Sequence, residues 1–377
     1  KLRVNIKCEE INNPENKFHI DTVDLYLSKS RKAFLKDASM LFKESPEIIE
    51  KDIVQIIEKV EAHINNQGRL KENTNKEMTS KERDEAIIFA KEENLLTGIL
   101  KDLENCGYVG EEMNKLVCYL AMTSRKTQDP LSILIISGSG AGKSSLQDAI
   151  LSLCPEEDLI KLTSITGRAL FYKKEGSLAH KVLALEEEKG AEDAGYAIRN
   201  LISAKTLTIE ATIKDNYTGK ITTMENKVQG PTSVFKTTTN PETDPETKSR
   251  FIVLSIDESK EQTQKILDYQ RKMQTIEGIT GNQAKKEIIK KHKNFQRILR
   301  PLIVVNPYAD VLTYLDDRIQ VRRDHPKYLN LINAVAFIRQ YQKEIKQIKK
   351  DNQTIEYIEA DKEDIRRANK IAHHVLG

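Results

Sequence analysis

Residues 137–145 read Ser-Gly-Ser-Gly-Ala-Gly-Lys-Ser-Ser, after an apolar run at 131–136 and before a helical pattern. A phosphate-binding loop has the form G-x-x-x-x-G-K-[ST] between a strand and a helix. Gly142, Lys143 and Ser144 fit that form, whereas Ser137 stands where the first glycine is usual. Gly138 and Gly140 supply the backbone freedom that the missing glycine would give. The N–H groups of Gly138, Ser139, Gly140, Ala141, Gly142 and Ser145 would form an anion nest at the positive end of the following helix. Lys143 would reach the β- and γ-phosphates of ATP, and the Ser144 hydroxyl would bind Mg²⁺. The plain alternative is a flexible strand-to-helix turn.

Downstream, "KVLALEEE" is an apolar strand ending in Glu186 and Glu187. A carboxylate there can hold Mg²⁺ through water, which is the role expected of Glu186. The next carboxylate, Glu187, can take a proton from the attacking water. Glu186 stands where aspartate is usual and adds one methylene; alone, the run also reads as a surface acidic patch. "SVFKTTTNP" follows, ending in Asn240, whose amide could orient the water opposite Glu187. Then "SRF" puts Arg250 before another strand. Taken singly, Asn240-Pro241 is turn chemistry and Arg250 a surface cation. Their order after the two earlier motifs carries the reading.

These residues need a scaffold, and the pattern supplies one. Strands are expected at 131–137, 159–163, 181–186, 232–238 and 251–256, alternating with helices, which predicts a parallel sheet covered by helices. "TLTIEATI" and "KITTMENKV", joined by "KDNYTG", predict a β-hairpin between the third and fourth strands. Residues 17–63 read as helical, with Asp21 as N-cap and Val23, Leu27, Phe34, Ala38, Leu41 and Phe42 on one face. Residues 64–85 read as a polar linker, and helices are expected near 86–105 and 110–124. After 258 the pattern is purely helical and strongly charged. The expected domains are 1–85, 86–258 and 259–377.

The chain has 377 residues, 31% charged and without Trp, as a polar, soluble protein of two or three domains would be. Sixty Lys and Arg face 57 Asp and Glu, so net charge says nothing of partners. No apolar run approaches the ~20 residues of a membrane span. No secretory signal is read, and the chain opens at Lys1 in strand-like sequence, as a piece of a longer protein would. Cys8, Cys106, Cys118 and Cys154 form no C-x-x-C pair and read as reduced thiols of a cytoplasmic protein. His180, His292, His325 and the pair His373-His374 have no metal-ligand spacing.

The series of loop, "LALEEE", hairpin, "TTTNP" and "SRF" resembles the AAA+ ATPases of the minichromosome-maintenance helicase type. It looks most like the helicase modules of bacterial mobile elements and phages, some of them fused behind a zinc-finger primase-like region. The match covers roughly 95–260 and extends weakly through "HIDTVDLYLSKSRKAF" and "RRDHPKYLNLINAVAFIRQYQ". The resemblance implies an AAA+ core between helical N- and C-terminal regions. It implies that Asn240 is the polar sensor and that Arg250 is a finger acting on the neighbouring subunit's ATP. The hairpin around Lys214, Tyr217 and Lys220 would touch DNA, the lysines gripping phosphates and Tyr217 offering a face to a base. The function implied is Mg-ATP hydrolysis by a hexameric homo-oligomer moving on single-stranded DNA. Ser137 and Glu186 depart from the common pattern. A protein-remodelling switch and a non-hydrolysing DNA-binding scaffold are the alternatives; Arg250 and the hairpin argue against a small-molecule kinase. Residues 285–297, with six Lys/Arg against one Glu, read as either a DNA-facing surface or a solvated helix. Arg322 and Arg323 are candidates for a lid arginine contacting ATP.

Overall fold

The five runs read as strands lie side by side in one parallel sheet. The computed structural model describes residues 3–9, 18–72, 78–165, 168–186, 192–214, 221–276, 278, 281–314, 320–350 and 353–376. The chain divides into two units, Lys1–Glu77 and Met78–Gly377.

In the first unit, β1 (Arg3–Glu9) pairs antiparallel with β2 (Phe18–Asp24), followed by α1 (Ser28–Phe42) and α2 (Pro46–Glu72). The expected helix from residue 17 is therefore corrected. "FHIDTVD" is a strand whose Val23 is buried while Ile20 stays exposed, and Asp21 pairs with Ile6 across the ladder instead of capping a helix. Partnering by "RVNIKCE" decides the matter, because a paired edge outweighs a local helical period. Ile6, Val23, Leu25, Phe34, Leu35, Ala38 and Ile53 form the core of this unit.

The expected linker at 64–85 is also corrected. Helix α2 runs to Glu72, and Thr79 begins α3 (Ser80–Ala90) through a capping box with Glu82. Helices α4 (Leu95–Asn105) and α5 (Glu112–Ser124) lead to β3 (Ile133–Ile136) and α6 (Lys143–Leu151). Then come β4 (Leu159–Leu162), β5 (Lys181–Leu185), α7 (Glu192–Ser203) and the antiparallel pair β6 (Thr206–Lys214) and β7 (Ile221–Gln229). The sheet is completed by β8 (Thr232–Thr238), the short α8 (Pro245–Lys248) and β9 (Ile252–Leu254).

Strand order is β4-β5-β8-β3-β9. Alternate side chains enter two cores. Ile133, Ile135, Val182, Ala184 and Phe235 join Val117, Leu146 and Ile150 on one face. Leu134, Leu183, Leu185 and Val234 join Ala197, Ile198 and Leu201 of α7 on the other. Burial on both faces explains why β3 and β5 read as apolar runs.

Beyond β9 lie α9 (Lys260–Met273), α10 (Asn282–Ile298), β10 (Ile303–Val305), α11 (Val321–Ile338), β11 (Lys346–Lys350), β12 (Gln353–Glu359) and α12 (Lys362–Val375). The expectation of a purely helical C-terminal region is thus corrected: β10, β12 and β11 form a three-stranded sheet. Lysines along the edge strand β11 disguise it, since charge on an edge strand keeps other chains from pairing with it and weakens its apolar signal. Among the described residues, no helix is long and apolar enough to cross a membrane.

Candidate nucleotide-binding site

The phosphate-loop residues follow β3, a strand flanked by β8 and β9. Gly140 and Gly142 adopt φ of 80° and 102°, the left-handed backbone that side chains resist, and Gly142 is the N-cap of α6. Gly138, Ser139, Gly140, Ser144 and Ser145 are exposed, so an arriving phosphate meets the loop directly. Lys143 is buried, 8% exposed, and folds back to donate to Ser137 O at 2.9 Å and Gly138 O at 2.6 Å. The ammonium is thereby held over the loop by carbonyls that a phosphate would replace.

Ser137 has a definite task. Its Oγ accepts from Ile256 N–H at 2.7 Å, fastening the loop to the chain leaving β9. Asn114 reinforces the same segment from α5, donating to Ser255 O at 2.8 Å.

Glu186 follows β5 on the face of Ala184, the α6 side, because strand side chains alternate. Lys161 of β4 lies between two acids, 3.1 Å from Glu186 and 2.7 Å from Asp148 of α6. Those hydrogen bonds, the one to Asp148 foremost, push the Lys161 ammonium above its usual range. Glu186 thus faces the loop helix with its charge balanced by a lysine. Glu187 lies outside the described residues, as do Tyr217 and Lys220; Lys214 ends β6.

Asn240 emerges two residues past Thr238, which pairs with Ile136, so it leaves the sheet at the loop's end. Its Oδ1 accepts from Glu242 N–H at 2.9 Å, which fixes the side chain and leaves the amide N–H groups to donate outward. Loop, acid and asparagine therefore all follow the carboxyl ends of neighbouring parallel strands, where open α/β sheets bind ligands.

Arg250 lies at the other end. It precedes β9, whose Ile252 pairs with Ile133, so at about 3.3 Å per residue it stands roughly 20 Å along the sheet from Ser137. Ser203 Oγ accepts from its Nε at 2.8 Å, and Glu246 O accepts from Nη1 at 2.7 Å. Arg250, Arg322, Arg323, Lys205 and Lys327 line one cleft of about 220 Å³. Arg322 and Arg323, read as lid arginines, thus stand beside Arg250 and away from the chain's own loop.

The basic helix read at 285–297 is mostly committed internally. Lys290 pairs with Glu82, Lys291 with Asp102, Lys293 with Glu156 and Arg297 with Glu157. His292 is buried, with Nδ1 2.8 Å from the Tyr119 hydroxyl and Nε2 3.0 Å from Asp102. Lys285, Lys286 and Lys290 remain exposed on this helix. Sequence reasoning also missed Glu258, whose carboxylate accepts from Gly138 N–H at 3.1 Å. No spacing rule points to it.

The donor set suits a nucleotide with Mg²⁺: a glycine nest, a lysine inside it, a hydroxyl at the helix start and one carboxylate facing the helix. Mg²⁺ needs few protein ligands when phosphates complete its shell. Among the described residues, no cluster of three or more His, Cys, Asp or Glu could hold a metal by itself. Such a loop on an α/β parallel sheet defines a P-loop nucleoside triphosphatase. The chain belongs to the family described as the MTBMA_p00010 P-loop domain, whose profile matches residues 77–300. No curated protein matches the chain in sequence.

Proposed function

We propose that this P-loop protein is an AAA+ ATPase of the minichromosome-maintenance helicase kind, hydrolysing Mg-ATP in a hexameric ring to move on DNA. One observation carries the reading: acid and asparagine flank the loop at one end of the sheet, while Arg250 waits at the other. An arginine roughly 20 Å from its own loop serves hydrolysis only if a second copy brings a loop to it. Lys143 would neutralise the β- and γ-phosphates, Ser144 and Glu186 would hold Mg²⁺, and bound Mg²⁺ would spread the charge of the transferring phosphoryl group. Glu187 would accept the proton of the attacking water, and Asn240 would orient that water. Arg250 would supply positive charge to the neighbour's γ-phosphate, an effect of ~10³-fold or more in related enzymes. Lys214, Tyr217 and Lys220 would meet the DNA strand.

A second reading is a protein-remodelling switch without unwinding, since four of the six basic residues at 285–297 hold internal ion pairs. ATPase rate with and without single-stranded DNA separates the two. Stimulation that disappears when Lys214 and Lys220 become alanine supports the helicase. A rate indifferent to DNA supports the switch.

A further inference from the structure

Two hydrogen bonds of different character join the phosphate loop to the chain after β9. The neutral one runs from Ile256 N–H to Ser137 Oγ. The charged one runs from Gly138 N–H to the Glu258 carboxylate. Glu258 is exposed, and among the described residues no cation pairs with it. The residue before it is fastened as well, Asp257 N–H donating to Glu111 Oε1 at 2.6 Å. Immediately afterwards Ser259 caps α9, accepting from Gln262 N–H, and Gln262 Nε2 donates to Val109 O at 2.8 Å. A carboxylate thus rests on the anion-binding loop at the very start of α9. At Gly110 an added Cβ would meet Gln262 Oε1 at 2.1 Å, so the helix is seated closely on this turn.

Phosphates and a carboxylate against the same loop repel one another. The Glu258 contact therefore stabilises the loop without nucleotide and opposes the loop with it. We propose that Glu258 is a positioning residue that holds the phosphate loop in its nucleotide-free form, is displaced when phosphates bind, and passes that displacement to α9. The inference rests on nucleotide binding at residues 137–145.

The test is fluorescence titration of the whole chain with mant-ATP, using Glu258→Gln, Glu258→Ala and, as a control, Lys143→Ala. Gln keeps an oxygen for Gly138 N–H and removes only the charge. Glu258→Gln should tighten binding by roughly three- to tenfold at low salt, the size of one partly screened like-charge contact. The gain should shrink at high salt. KM for ATP should fall while kcat stays within about twofold, a split that loss of a merely structural contact would not produce. Hydrogen exchange in residues 260–273 should respond to nucleotide in the wild type and lose that response in Glu258→Ala. Unchanged or weaker mant-ATP binding by Glu258→Gln, with Lys143-dependent binding in the wild type, overturns this inference alone. Wild-type binding that is absent, or indifferent to Lys143→Ala, overturns the nucleotide site and this inference with it.

Discussion

The Ser137 hydroxyl oxygen accepts a 2.7 Å hydrogen bond from the backbone N–H of Ile256. The residue that departs from the usual glycine is thus the one that ties the phosphate loop to the exit of β9. Ile256 is 7% exposed, so its N–H has little water to turn to. Ser137→Ala should cost about 1–3 kcal/mol, the penalty of a buried donor left without an acceptor. Ser137→Gly should cost at least as much, although it restores the common loop pattern. Denaturant unfolding measures both; a glycine variant as stable as the wild type would show that the bond contributes nothing.

The two acids after β5 should separate by phenotype. Glu187→Gln keeps size and shape and removes the proton acceptor, so ATP should bind while turnover falls ~10²-fold or more. Glu186→Gln should instead raise the Mg²⁺ concentration needed for half-maximal rate. If Glu186→Gln blocks turnover at saturating Mg²⁺ and Glu187→Gln is silent, the two roles are exchanged.

Acid should weaken the second unit through His292. Burial pushes its imidazole below the ordinary range, against the pull of Asp102 and with the help of Lys291. The unfolded chain then takes up this proton first as pH falls below about 6.5. The stability it contributes is full above that pH and is lost as pH falls toward the folded value, by up to about 1.4 kcal/mol per pH unit. Urea unfolding between pH 7.5 and 5.5 should show this slope, and His292→Gln should flatten it. An equal slope in both proteins would assign the effect to other groups.

The centre of the sheet and the phosphate loop were legible because β3 and β5 are buried on both faces and the loop has a fixed spacing. Ile133, Leu183 and Phe235 leave an apolar signature that no pairing partner is needed to read. The pairing of Arg3–Glu9, strand-like in sequence, with Phe18–Asp24 was not legible, because Val23 and Leu27 fall at a helical spacing until the partner strand is known. Residues 346–359 failed for a similar reason, with lysines on an edge strand hiding the two-residue period. Local spacing located Asn240 and Arg250 but could not say that they stand at opposite ends of the sheet. That fact comes only from register, Ile136 with Thr238 and Ile133 with Ile252. Glu258 and Lys161 were invisible because their partners, Gly138 and Glu186, are distant in sequence.

The most direct test of an arginine acting between copies is a mixing experiment. Arg250→Ala subunits should bind ATP in their own loops and fail to hydrolyse it, since only the charge needed by a neighbour's γ-phosphate is gone. Lys143→Ala subunits should keep the arginine and lose the loop. ATPase rate is then measured against mixing ratio, at concentrations where both variants assemble. Each alone should be inactive, and mixtures should recover activity with a maximum near equal parts, because an intact loop can then face an intact Arg250. A rate that stays at zero across all ratios, with both variants folded and assembled, would contradict the account.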